Sequence, residues 1–195
     1  MSEMTDTLAA LLGPRLRLNS AVAGISREGD RYAVHLADGG SDEFETLVLA
    51  CPAYAQAAML ADLSPEISEQ VGGIAYPPLS VVCMGFERER IGPGLDGFGF
   101  LVPSREDRGI LGTVVDSNVF PNRAPEGRVL LRTMVGGARI PERARLDDEA
   151  LTDLVRSDLK DIMNVSCDPE FTQIWRHERA IPQYLVGHAE RLDAI

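Results

Sequence analysis

Positive charge is scarce in this chain. Nineteen Lys and Arg stand against 30 Asp and Glu, a formal net charge of −11 with a pI near 4.7. Nucleic-acid binding draws on surplus cations that displace phosphate counterions, so the balance argues against a nucleic-acid partner. It argues equally against tight polybasic docking on anionic lipid, though a local basic patch stays compatible with it. Long apolar runs are missing: no stretch approaches the roughly 18 residues of a spanning helix. The first residues, Met1 to Asp6, are acidic and lack the pattern of a signal peptide, so the expected location is the cytoplasm. Cysteine is sparse. Cys51, Cys83 and Cys167 form no Cys-x-x-Cys pair and have no neighbouring histidine, and are expected to be reduced, mostly buried thiols. The sequon Asn164-Val165-Ser166 is then idle.

Self-contained catalytic patterns are missing as well. His35, His177 and His188 have no carboxylate or thiol at metal-ligand spacing, so no metal is expected. His35 alternates outward in a strand pattern, and no strained turn around a serine suggests a nucleophile: Ser104 follows a strand end. The acids Asp147, Asp148 and Glu149 are explained by a helix dipole. Gly92 to Gly97 spells G-x-G-x-x-G, but a dinucleotide site needs a strand before that loop and a helix after it. Here Glu87-Arg-Glu-Arg90 precedes and a strand pattern follows, so the match is coincidental.

What is present reads as globular. Apolar residues make up 45% and charged residues 25% of 195, ordinary values for one domain or one and a half. Residues 5–12 predict a short helix stopped by Gly13. A meander follows, with strands over 15–18, 21–27, 32–36 and 44–50, its turns marked by Glu28-Gly-Asp30 and Asp38-Gly-Gly40. Leu47-Val-Leu-Ala50 is apolar on both faces, which predicts a strand covered on both sides. Helices are expected over 53–61 and from Pro65. Strands are expected over 79–86, 100–102, 110–115, 128–135 and 171–177, with a long amphipathic helix over 147–163 and a last one from Gly187. The fold class is α+β: a mixed, mainly antiparallel sheet flanked by helices, plus a small β-meander. A meander feeding a doubly buried strand with no sheet of its own, and a final amphipathic helix that runs to Ile195, suggest a piece of something larger.

The stretch Trp175 to His188 packs an aromatic, several cationic or titratable groups, a proline, a tyrosine and a glycine between a strand and a helix. It belongs to an ordered set: Leu47-Val-Leu-Ala-Cys-Pro52, Tyr76 to Val82, Leu95-Asp-Gly-Phe-Gly-Phe-Leu-Val-Pro-Ser104, Leu111-Gly-Thr113, Asn118 to Pro125, Val135-Gly-Gly137 and Ile181 to His188. In order and spacing the set resembles the protoporphyrinogen oxidases of haem biosynthesis, within the amine-oxidase-like flavoproteins. The resemblance implies a partial FAD-binding domain over 1–52, a substrate-binding domain over 53–178 and a return segment over 179–195. It implies FAD in the parent protein, not on this piece, because the family's opening G-x-G-x-x-G and its closing glycine-rich segment have no counterpart here.

Residue by residue, the resemblance matches Val22 to a meander valine whose backbone meets the adenine of FAD, and Ala50 and Pro52 to a strand end beside the cofactor. His177 stands where the family often has a flavin-side tryptophan, and Trp175, two residues away on one strand face, could substitute for it. Phe98, Leu101, Val102, Phe120 and Tyr184 are expected to line the substrate pocket. Arg176, Arg179 or Arg191 could face the propionates, or form surface salt links. The implied activity is oxygen-dependent dehydrogenation of a porphyrinogen, protoporphyrinogen or coproporphyrinogen, with this piece inactive alone. The implied location is cytoplasmic, with peripheral contact of the parent protein with the inner face of the membrane left open, as is the oligomeric state. Two other readings stand beside it: a free-standing porphyrin-binding module, and the substrate domain of another amine-oxidase-like flavoenzyme acting on an amine or a carotenoid-like chain.

Overall fold

A computed structural model describes residues 2–92 and 95–195. It divides into two compact units: the chain up to Ile74 together with Tyr184–Ile195, and Ala75–Gln183. The helical pair that follows Pro52 clusters with the meander in the first unit.

In the first unit, α1 spans Glu3–Leu12 and ends at Gly13, whose φ of 52° is a left-handed turn that favours glycine. The expected strand over 15–18 is not formed; a 3₁₀ turn occupies Gly13–Arg15, with Pro14 in its first turn, and the chain then runs on irregularly. Strands β1 (Val22–Glu28), β2 (Arg31–Leu36) and β3 (Ser41–Phe44) make an antiparallel meander in the order β1-β2-β3. His35 is half-buried, between the hydroxyls of Ser26 at 2.8 Å and Ser41 at 3.3 Å, and is not the solvated residue its alternation suggested.

Leu47–Ala50 departs from the covered strand that its apolar composition implied. It is no strand among the described residues: Val48 is 82% exposed, and Leu47 and Leu49 are only half-buried. Apolar composition on both faces reports a demand for cover, but a strand needs a ladder partner as well, and the meander ends at β3. Helices α2 (Ala53–Leu60) and α3 (Pro65–Gly72) follow, the second with Pro65 at its first turn. Ser68 donates from its hydroxyl to the Ala57 carbonyl at 2.8 Å and ties the two together. The last helix is short, His188–Asp193, and its Arg191 donates to the Gln70 carbonyl.

The second unit is a five-stranded, wholly antiparallel sheet with a helix on one face. Its strands are β4 (Leu79–Glu87), β5 (Gly99–Leu101), β6 (Ile110–Val115), β7 (Arg128–Gly136) and β8 (Phe171–His177), in the order β5-β6-β7-β4-β8. One-turn helices follow β4 and β6, at Arg88–Ile91 and Asp116–Val119. The long helix Asp148–Met163 is capped by Asp147, whose carboxylate accepts the Ala150 N–H at 2.8 Å. Leu151, Val155 and Leu159 pack into a cluster with Val82, Met84, Phe86, Val129, Leu131 and Val135, most of them fully buried. Asp158 fastens the helix to the sheet by accepting the N–H groups of Gly109 and Ile110 at 2.7 and 3.0 Å. The α+β class is as the hydrophobic patterns imply. The three cysteines are free but only half-buried, less than expected. For Cys83 the reason is its register: it points away from the packed face.

The coincidental Gly92 to Gly97 pattern lies partly outside the described residues, since Pro93 and Gly94 belong to it.

Candidate functional site

Strand alternation places one set of side chains against the long helix and the next set on the opposite face. Cross-strand pairing makes the two sets explicit. Phe100, Thr113, Thr133, Val82 and Ile174 form one row across all five strands, on the packed side, where the Thr113 and Thr133 hydroxyls bond at 2.9 Å. The neighbouring rows face the other way. Leu101, Gly112, Met134, Val81 and Trp175 make one; Gly99, Val114, Arg132, Cys83 and Gln173 make the next; Leu130, Gly85 and Phe171 continue beyond them.

This second face is apolar and open. Leu101 is 79% exposed, Trp175 59% and Phe171 50%, while Val81, Val114, Leu130 and Met134 are half-buried. Three glycines lie in these rows. At Gly112 a Cβ would press on the Phe100 carbonyl and Leu101, and at Gly99, with φ of 140°, it would overlap the Thr113 carbonyl. Glycine there keeps the strands close and the surface low, as at sites where another flat body approaches. At one end of the face, Pro77, Leu79, Leu111, Met134 and Ile181 line a hollow of about 290 Å³. At the other, Gly85, Pro125, Leu130 and Phe171 line one of about 560 Å³.

A charged pair sits in the middle of this face. Arg132 donates from Nε and Nη2 to the two carboxylate oxygens of Asp116, both at 2.8 Å. Asp116 is nearly buried, at the start of the one-turn helix after β6, so the fork is held from a fixed point. The carboxylate raises the Arg132 pKa above its ordinary value. Burial, and then the Asp116 charge, push the neighbouring Cys83 thiol up, against a smaller lowering by Arg132. A protonated, unreactive thiol is the consequence.

The expected site residues fall in both units. Leu101, Trp175 and His177 lie on the open face, His177 opposite Leu79 and Trp175 opposite Val81. Val102 packs against the buried cluster on the other face. Phe98 is 75% exposed just before β5, and Phe120, 43% exposed, lies under the Arg123 guanidinium at 5.5 Å. In the first unit, Val22 and Ala50 line an apolar hollow of about 530 Å³ with Ile25, Val34, Leu47 and Met59. Pro52 caps α2, its carbonyl accepting the N–H groups of Ala55 and Gln56. Tyr184, 81% exposed, stacks on His188 with ring centroids 4.6 Å apart. Val81, Val114, Leu130, Arg132 and Met134 were not singled out from sequence. The alternation within β4 and β7 was the signal that could have found them, once the covered face was known.

A profile described as flavin containing amine oxidoreductase matches residues 1–192. The chain belongs to that family. Among individual relatives, the chloroplastic protoporphyrinogen oxidase of Nicotiana tabacum is 32% identical over 97% of this chain and 37% of its own length. The coproporphyrinogen III oxidase of Bacillus subtilis is 29% identical over 98% of this chain and 42% of its own. A crystal structure from Exiguobacterium sp. 255-15, provisionally assigned as a protoporphyrinogen oxidase, superposes with a TM-score of 0.78 at 25% identity, over 98% of this chain and 42% of that one. Reduced UDP-galactopyranose mutase, at 15% identity and a TM-score of 0.75, shares the fold. The chain thus spans about two-fifths of the length of the curated relatives it matches. No helix among the described residues is long and apolar enough to cross a membrane.

Flavin, as FAD in the parent protein, is the cofactor of this family of amine oxidoreductases. The first unit fits one end of such a group. β1 is an edge strand, so backbone groups beside Val22 are available to a flat heteroaromatic ring, and the hollow against Ala50 is apolar.

Proposed function

We propose that this chain is the substrate-binding part of an FAD-dependent protoporphyrinogen or coproporphyrinogen oxidase, and that by itself it holds substrate without oxidising it. The open face of the second unit carries this reading. A porphyrinogen is a broad, mostly apolar macrocycle with acidic arms, and it calls for a wide apolar wall with little else on it. Rows running Leu101, Gly112, Met134, Val81, Trp175 and Gly99, Val114, Arg132, Cys83, Gln173 supply such a wall.

A bound flavin would supply the redox chemistry, hydride acceptance and reduction of oxygen. What remains for these residues is binding and orientation. Trp175 and His177, expected beside the flavin, share the face that would meet the substrate, Leu101 and Met134 give it apolar contact, and Val22, Ala50 and Pro52 would hold the adenine end of the cofactor. In this reading the meander unit is the partial FAD-binding portion and Ala75–Gln183 the substrate portion. The family's phosphate-cradling loop would come from the part of its relatives that this chain does not span. The acidic chain would work in the cytoplasm, any membrane contact being peripheral and made by the parent protein.

Trp175 is the only tryptophan and stands on the open face, so its emission reports directly on occupancy. Titrating the 195-residue chain with protoporphyrin IX or coproporphyrin III is expected to quench it saturably, and the purified chain is expected to be free of yellow flavin. A straight-line, non-saturating response to both porphyrins removes the reading, and a stoichiometric flavin on the purified chain removes the assignment of an incomplete cofactor site.

A further inference from the structure

The open face is apolar apart from a few side chains, and their partners differ in a way that matters. Arg128, at its edge, is engaged by two carboxylates, Glu87 and Glu170. Arg139 donates to the Val102 and Ile110 carbonyls, and Arg176, one of the arginines considered for the propionates, stands opposite Ser80 on the packed side of the sheet and is held by Asp148 and the Leu146 carbonyl. Arg191 belongs to the first unit, where it is committed to Gln70.

Arg132 is placed otherwise. A guanidinium has five N–H donors. Asp116 takes one from Nε and one from Nη2, and among the described residues no acceptor is recorded for the other three. Both Nη1 hydrogens are among these. The group lies in the middle strand of the sheet, between Val114 and Cys83, with Leu130 and Met134 two residues to either side along β7. Its side chain is 39% exposed while that of Asp116 is 12% exposed. The acid, itself nearly buried, holds one side of the fork, while the Arg132 side chain keeps exposed surface on the open face.

We propose that Arg132 binds a carboxylate of the substrate, one of the carboxyethyl arms of a porphyrinogen, through the donors that Asp116 leaves free. The inference rests on the porphyrinogen reading above and adds to it the residue that reads the acid group. Asp116 is the positioning residue: the two-point pair fixes the plane of the guanidinium before any ligand arrives, so little side-chain freedom is lost on binding. The neighbouring row of Leu101, Gly112, Met134, Val81 and Trp175 lies roughly 7 Å away, two residues of strand. A macrocycle lying over that row would bring one peripheral arm to Arg132, with the ring on the apolar part of the wall. The low, apolar surroundings strengthen the contact relative to one in open water.

The experiment compares coproporphyrin III with its tetramethyl ester in one dilute-detergent buffer, following Trp175 emission of the full chain. Wild type is expected to bind the acid more tightly than the ester. Arg132→Gln is expected to weaken the acid by about tenfold, the loss of a charge-assisted contact, and to leave the ester unchanged. Arg132→Lys is expected to recover part of the preference, because it keeps the charge and loses the fork. Equal binding of acid and ester by wild type overturns the proposal without any variant. So does a parallel loss of acid and ester in Arg132→Gln, the signature of a merely structural pair. If neither porphyrin form binds wild type, the porphyrinogen reading itself fails and this inference goes with it.

Discussion

Two methionines on neighbouring strands give the sharpest test of which face does what. Met84 in β4 is fully buried against the long helix, packed with Val82, Phe86 and Leu131. Met134 in β7 faces the open side and is half-buried, beside Val81 and Gly112. The same truncation to alanine removes the same atoms at both. At Met84 it forfeits burial and leaves a cavity that the surrounding sheet and helix fill only partly, a cost of about 2–5 kcal/mol. At Met134 part of the side chain is already in water and no closed cavity results, so the cost is below about 1.5 kcal/mol. With a urea slope of roughly 2 kcal/mol per molar, Met84→Ala lowers the unfolding midpoint by about 1–2.5 M, and Met134→Ala by less than about 0.8 M. Trp175 emission follows the unfolding, since it lies in the same unit as both residues. Porphyrin affinity should show the reverse order: weakened by Met134→Ala, and unchanged by Met84→Ala in buffer where that variant remains folded. Equal destabilisation by the two variants, or an affinity loss confined to Met84→Ala, would refute the division of the sheet into a packed face and a binding face.

Two further outcomes follow from local geometry. Gly99→Ala forces a left-handed backbone on a side chain and drives its Cβ into the Thr113 carbonyl; destabilisation by more than about 1 kcal/mol is expected in urea melts, and a neutral substitution would show that β5 does not lie as close to β6 as described. The Cys83 thiol is held above its ordinary pKa by burial and by Asp116, so the native state retains that proton longer than the unfolded chain. The stability this gives is complete below about pH 8.5 and is lost as pH climbs through the native value. Cys83→Ala should flatten that alkaline decline, as measured by urea midpoints from pH 7 to 10, and an unchanged slope would rule the thiol out as its source.

Much of this architecture is legible in the order of residues. The strands Ile110–Val115 and Phe171–His177 stand where the hydrophobic alternation puts them, and the helix Asp148–Met163 starts one residue inside its expected range, with Asp147 as its cap. These elements are local: their periodicity and caps are set by side chains within a few positions. Leu47–Ala50 shows the limit. Its apolar character is plain in sequence, but becoming a strand depends on a pairing partner, which is a property of distant chain.

The candidate site shows the same limit more strongly. Alternation along β4 says that Val81 and Val82 point opposite ways, yet both are valines, and nothing local says which side the long helix covers. Only the tertiary structure decides it. Strand order β5-β6-β7-β4-β8 inserts β4 between β7 and β8, which brings Cys83 opposite Arg132 and Trp175 opposite Val81. Asp116 and Arg132, sixteen positions apart, meet because β6 runs antiparallel beside β7 and ends in a turn of helix. The sequence by itself determined most of the elements and the family to which the chain belongs, because periodicity and motif order are carried by neighbouring residues. Which face stays open, and which arginine stands on it, was decided by long-range pairing and by the helix that packs on one side of the sheet.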